Sequence, residues 1–148
     1  MKVIIDIDNT LCDSNIRFAL ATKPNGKIDW EAAHIPNNIL MDDPFYPMID
    51  LAKYYKNSGV EVILLTGRPE SVREVTNKWL EKYGVEYDKL IMRSWEDNFL
   101  KAAIYKKKMY ETHIHSDVIC AYDDDQTIID MWSDLGIPSF KVNIILYD

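Results

Sequence analysis

Four short polar clusters interrupt a largely apolar chain, and three of them close an apolar run. Asp6-Ile7-Asp8-Asn9-Thr10 closes the run that starts at Val3, Thr66-Gly67-Arg68 closes Glu-Val-Ile-Leu-Leu, and Asp123-Asp124-Asp125 closes Val-Ile-Cys-Ala-Tyr. The fourth is Asp97, with Lys101 about one helical turn later. Asp6 and Asp8 are two residues apart, so on a regular strand both carboxylates share one face. Like charges so placed repel unless a cation lies between them. Mg2+ is the natural candidate, because it takes hard oxygen ligands and accepts few from protein. Asp123 and Asp124 would supply further carboxylates, and the metal would let an anionic phosphate approach an acidic site.

A nucleophile is then required. No Ser–His pairing is recognisable, and Cys12 and Arg17 are separated by four residues, one short of the C-x5-R phosphatase loop. A carboxylate attacking phosphorus is a known route; it needs charge neutralisation and alignment more than proton chemistry. Thr66 and Lys101 are expected to hold the phosphoryl oxygens, and Asp8 to protonate the leaving oxygen and then activate water. Lys101 lies in a segment that also holds Lys106, Lys107 and Lys108, and Lys106 is the alternative for its place. Asp125 is accounted for by the preference of helix N-termini for acids. His113 and His115 lack a third ligand at suitable spacing and read as surface residues. Trp30, Phe45 and Tyr46 either stack on a base from the lid or pack it down, packing being the preferred reading, and Trp79 and Trp132 read as core.

Strands must carry these groups. Apolar runs at 2–7, 61–66, 89–92, 118–122 and 138–142 read as buried parallel strands. Helical spacing predicts helices over 48–57, from Pro69 to about Tyr83, from about Asp97 to Glu111 and over 127–135, with Gly59, Gly84 and Gly136 as stops. Gly67-Arg68-Pro69 reads as a turn. This alternation predicts an α/β fold, a Rossmann-like three-layer sandwich around a mostly parallel sheet. Ligands then sit beyond the carboxyl ends of the strands, where the polar clusters fall. Residues 13–43 lack periodicity and read as a small lid inserted after the first strand.

The chain has 148 residues, 47% apolar and 28% charged, which fits one soluble domain over 1–148. Two cysteines make no disulfide framework, no apolar run suits a leader or a membrane span, and a cytoplasmic setting is expected. A net charge of −7 argues against a dedicated binder of long nucleic acid, so any such contact should be short and local. No G-x-x-x-x-G-K-[ST] is present, so no P-loop kinase domain is expected.

Asp6-x-Asp8-x-Thr10, Thr66 at a strand end, a downstream lysine and Asp123-Asp124 together resemble the four motifs of the haloacid dehalogenase (HAD) superfamily. The resemblance implies Asp6 as nucleophile, Asp8 as acid and base, and Mg2+ held by Asp6, the Asp8 carbonyl and an aspartate of the 123–124 pair. A closer resemblance is to the 3′-phosphatase domain of bacteriophage polynucleotide kinase-phosphatase. It rests on Thr66-Gly67-Arg68, Met92-Arg93, Asp97-x-x-x-Lys101, Ala121-Tyr122-Asp123-Asp124, Met131-Trp132, and Arg17 eleven residues after Asp6. It implies that Arg17 and Arg68 contact substrate phosphate, that Asp97 positions Lys101, and that the substrate is a phosphorylated nucleic acid 3′ end or a nucleotide. Related domains can pair, so a homodimer is compatible with it. Asp125 departs from the family's usual arginine, and Asn9 from its usual glycine. A 5′- or 3′-nucleotidase, another small-metabolite phosphatase and an inactive binding module are the competing readings; the intact motifs argue against the last.

Overall fold

The computed structural model describes residues 1–145. The elements are β1 (Lys2–Ile5), β2 (Cys12–Asp13), α1 (Asn15–Leu20), α2 (Trp30–Ala33), α3 (Pro36–Ile39), β3 (Asp43–Pro44), α4 (Tyr46–Asn57), β4 (Glu61–Pro69), α5 (Arg73–Lys82), β5 (Lys89–Arg93), α6 (Ala102–Met109), β6 (Val118–Asp123), α7 (Gln126–Asp134) and β7 (Ser139–Lys141). Five strands form one sheet in the order β5-β4-β1-β6-β7, and every neighbouring pair is parallel. β1 lies at its centre, which is why Val3, Ile4 and Ile5 are all apolar and buried.

Alternation along the strands divides the core between two faces. Val3, Ile5, Val62 and Leu64 pack with Met48, Ile49 and Ala52 of α4 and with Trp79 and Leu80 of α5. Ile4, Ile63 and Leu65 pack with Tyr105 and Met109 of α6 and with Ile128 and Trp132 of α7. The result is the three-layer α/β sandwich expected from the sequence. Trp79 and Trp132 are core residues, as expected. Gly59 ends α4 and Gly84 ends α5 at φ +80° and +69°, where a side chain would be strained.

Three boundaries differ from the sequence expectation by three residues or more. Gly67, Arg68 and Pro69 do not turn: β4 runs on to Pro69, with an irregularity after Leu65 that brings Pro69 opposite Arg93. Thr66 Oγ1 accepts the Arg68 N–H at 3.1 Å within this irregular stretch. Pro69 precedes a 3-10 turn, Glu70–Val72, and the helix starts only at Arg73. The helix expected from Asp97 starts at Ala102, because residues 95–97 form a separate 3-10 turn.

The insertion at 13–43 is closed at its base by the antiparallel β2–β3 pair and contains α1, α2 and α3, each six residues or shorter. Trp30 and Tyr46 are more exposed than packing residues should be, at 58% and 54%. The insertion is tied to the body by Trp79, whose indole Nε1 donates to the Asp42 carbonyl at 2.9 Å. Trp79→Ala should therefore destabilise the protein by about 3–5 kcal/mol, measured by urea unfolding. It should also speed proteolysis within 13–43, which an ordinary core cavity would not do selectively. Among the described residues, no helix is long and apolar enough to cross a membrane.

Candidate active site

The carboxyl edge of the sheet carries two adjoining ionic clusters. The first gathers Asp6 from the end of β1 with Asp123 and Asp124 from the end of β6; one oxygen of each lies within 4.8 Å of the others. Lys106 of α6 reaches between them, with Nζ donating to Asp6 Oδ1 at 2.9 Å and to Asp123 Oδ2 at 2.6 Å. Thr10 Oγ1 donates to the other Asp6 oxygen at 3.3 Å. Burial, reinforced by the charge of Asp123, pushes Asp6 well above the usual carboxylate range despite Lys106. Burial and Asp123 likewise raise Asp124 to about 6. Lys106 is driven down by burial, but Asp123 and Asp6 outweigh this and keep it charged. Three carboxylates facing one ammonium leave an excess of negative charge on hard oxygen donors. That donor set fits Mg2+.

The second cluster surrounds Asp8. Arg68 donates to it from Nη2 at 2.7 Å and from Nε at 3.2 Å, Arg17 donates from Nη2, and Ser14 Oγ donates at 2.8 Å. Asp42 lies behind, accepting from Arg17 Nη2 at 2.8 Å and, more weakly, from Arg68 Nη2 at 3.4 Å. Burial acts to raise the Asp8 carboxyl, but Arg68 and Arg17 outweigh it and hold the group well below the usual range. Cys12 sits inside this cluster, where burial pushes its thiol far up, so it is no candidate thiolate nucleophile.

The chain itself separates the two carboxylates. After Asp6 it leaves the regular strand, and the N–H groups of Thr10 and Leu11 both return to the Ile7 carbonyl. Asn9 takes φ +58°, which asparagine tolerates better than most residues, and its side-chain oxygen accepts the Ser14 N–H at 2.9 Å. This accounts for asparagine at a position where glycine is usual. The expectation of a shared face for Asp6 and Asp8 is therefore corrected: Asp6 joins the acidic cluster, and the Asp8 side chain turns to the arginines.

Other expected residues are displaced as well. Lys101, expected to hold a phosphoryl oxygen, is exposed at the N-cap of α6, and Lys106, the alternative, is the lysine that reaches Asp6. Asp97 does not hold Lys101; its carboxylate accepts from Lys108 and Ser94. Arg17 and Arg68 are not free to face solvent, since both are buried against Asp8 and Asp42. Thr66 is buried at the site, as is Thr10. Gly67 faces Arg93, whose Nη2 lies 3.6 Å from where a Cβ on Gly67 would stand. Asp125 caps α7 by accepting the Thr127 N–H at 2.8 Å. His113 and His115 are exposed. Sequence reasoning missed Asp42 and Ser14, which carry no motif. Lys106 did have a signal: Ala102, Tyr105, Lys106 and Met109 share one helical face, and that face is turned toward the sheet.

A parallel sheet with an acid-rich carboxyl edge, a D-x-D-x-T segment on its central strand and a buried lysine from a crossover helix define a phosphatase of the HAD class. A family profile described as the polynucleotide kinase PNKP phosphatase domain matches residues 1–144. The chain belongs to that family. It is 30% identical over 133 residues to a protein of Autographa californica nuclear polyhedrosis virus described as "Putative bifunctional polynucleotide kinase/RNA ligase", covering 87% of this chain and 18% of the viral protein. Among solved structures, a chain of the Pnkp1/Rnl/Hen1 complex superposes with a TM-score of 0.77 at 32% identity, over 99% of this chain and 47% of that one. A class C acid phosphatase from Bacillus anthracis with tungstate bound shares the fold, with a TM-score of 0.65 at 16% identity over 95% of this chain and 66% of its own. The chain thus spans less than half the length of the first two relatives.

Proposed function

We propose that this phosphatase removes the 3′-phosphate from nucleic acid ends through an aspartyl-phosphate on Asp6. The observation that carries the chemistry is Lys106 Nζ held between Asp6 and Asp123 at the tips of β1 and β6. An Asp6 oxygen attacks phosphorus in line with the departing ribose oxygen, so one P–O bond forms as the other breaks. Lys106 and Thr66 hold equatorial phosphoryl oxygens. Water then attacks the phosphorus of the intermediate and regenerates the Asp6 carboxylate. Asp6, Asp123 and Asp124 would hold Mg2+, which, when bound, neutralises phosphoryl charge.

Asp8 is the proton carrier in this reading. In the structure it is the anion that occupies Arg17 and Arg68. A phosphoryl group that takes over those guanidinium donors lets the Asp8 carboxylate take up a proton from solvent and pass it to the leaving oxygen; the carboxylate so regenerated then takes a proton from the attacking water. The nucleic-acid end as substrate is supported by the family and by the relatives, one described as a kinase and RNA ligase and another belonging to an RNA repair complex. The test is phosphate release, with Mg2+, from oligonucleotides ending in 3′- or 5′-phosphate and from nucleoside 3′- and 5′-monophosphates. Release mainly from the 3′-ended oligomer is expected. Release from mononucleotides alone would move the protein to the nucleotidases.

The acidic cluster predicts how Mg2+ should act on stability. A carboxyl with a raised folded pKa binds its proton better folded than unfolded. In metal-free protein the Asp124 contribution therefore opposes stability as pH rises from about 4 through about 6, and Asp6 is shifted in the same direction. Mg2+ competes with those protons. Its increase in Tm should be several-fold larger at pH 7.5 than at pH 5, measured calorimetrically at one fixed Mg2+ concentration. Equal increases at both pH values would place the ion elsewhere.

A further inference from the structure

Of the chain's four tryptophans, Trp79 and Trp132 are buried in the core, whereas Trp30 of the insertion is 58% exposed. Its indole is nonetheless held in place. The ring stacks on the imidazole of His34, with centroids 6.1 Å apart and planes 22° from parallel. The Phe18 ring meets it edge-on at 5.9 Å. The imidazole is fixed in turn, because His34 Nδ1 donates to the Trp30 carbonyl at 2.7 Å. Trp30 opens α2 and His34 caps its end, so one helical turn builds the pair. A ring held at one face and one edge, yet more than half exposed, is preorganised to stack on a further flat ring at little entropic cost.

Position narrows what that further ring can be. α2 ends against the active site: the Ala33 carbonyl accepts from Arg17 Nη1 at 2.6 Å, and Arg17 Nη2 donates to Asp8. The same guanidinium lies 4.9 Å over the Phe18 ring. A single ring therefore separates the indole from the cation that pairs with Asp8. A substrate that brings its phosphate to Asp6 and Arg17 has its nearest nucleosides within reach of Trp30. A nucleobase offers the flat face that such a ring accepts, whatever its identity. Stacking also needs no positive charge on the protein, which suits a chain of net charge −7.

We propose that Trp30, backed by His34, is a stacking platform in the insertion for an unpaired base at or next to the phosphorylated terminus. It rests on the nucleic-acid reading of the active site and narrows it to ends whose last bases are free of a complementary strand. The test is fluorescence anisotropy of a labelled single-stranded oligothymidylate of about ten nucleotides with a 3′-phosphate, titrated with Asp6→Asn protein in Mg2+. Adding Trp30→Ala should weaken binding roughly tenfold. Its salt dependence should not change, because no cation is lost. The ring is exposed, so its loss leaves the core intact, and Trp30→Phe should recover most of the binding. His34→Ala should weaken binding about threefold, and His34→Phe should keep most of it, since a flat ring still backs the indole. Against a blunt duplex with the same 3′-phosphate, whose last base is already stacked and paired, Trp30→Ala should matter little. Unchanged single-strand binding in Trp30→Ala, a loss confined to Trp95→Ala at the other exposed indole, or no binding by the parent overturns the platform. Phosphate release by the unmutated protein separates the two readings. Trp30-dependent binding without release from the 3′-phosphorylated oligomer would sink the 3′-phosphatase and keep the platform. Release together with Trp30-independent binding would do the reverse.

Discussion

Asp6→Asn protein should release phosphate from a 3′-phosphorylated oligonucleotide at least about 10⁴-fold more slowly than the parent, a loss of the size seen when a covalent nucleophile is removed. The amide nitrogen cannot serve as the attacking oxygen, and the neutral side chain attracts a cation less. The fold should persist, because Lys106 keeps its 2.6 Å bond to Asp123 and the carbonyl oxygen of the substituted amide can still accept. Folding and activity are thereby separated: circular dichroism and Tm should stay near the parent while turnover vanishes. Retention of more than a few per cent of the rate would show that Asp6 is not the group phosphorylated. A trapping experiment adds a second readout. Brief reaction with a radiolabelled phosphate ester followed by acid quench should label the parent and leave Asp6→Asn unlabelled.

Lys106→Met should cost both activity and stability. Lys106 is 3% exposed and lies between Asp6 and Asp123, themselves 6% and 2% exposed. Removing the ammonium leaves those carboxylates uncompensated, which costs about 3–5 kcal/mol in comparable buried pairs. Some of that loss should be recovered by Mg2+, since a divalent cation can replace the missing charge. Activity should not recover with it, because the phosphoryl group would still lack the Lys106 donor. Lys101→Met is the discriminating control. Lys101 is exposed, and the ion pairs of the acidic cluster are made by Lys106. The Tm of this variant should stay within about a degree or two of the parent, and its turnover of p-nitrophenyl phosphate within about twofold. Equal loss in both variants would reinstate Lys101 as the expected phosphate ligand.

These two experiments bear on the point where sequence and structure part company. Asp97-x-x-x-Lys101 is a motif match, whereas Lys106 is identified by the face of α6 on which it falls. A helix begun at Asp97 starts too early. Once α6 begins at Ala102, Lys101 is its exposed cap, while Lys106 falls on the face shared with Tyr105 and Met109. A four-residue spacing suggests a shared helical face only if both residues are in the helix.

What the sequence alone determined is the sheet and the identity of its edge. Buried parallel strands must be apolar on both faces, so their ends are marked by the first polar residue, and Asp6, Thr66 and Asp123 are each legible for that reason. The alternation with amphipathic helices was likewise enough to bring those ends to one side. What tertiary structure decided is which charges meet. Asp6 and Asp8 parted because the backbone turns at Asn9, and Asp8 found arginines 9 and 60 residues away. Asp42 entered the site from the far end of the insertion through long-range contacts with Arg17 and Trp79. Electrostatic pairing in a buried site depends on distances of a few ångströms between segments remote in the chain, and no local pattern of residues carries that information.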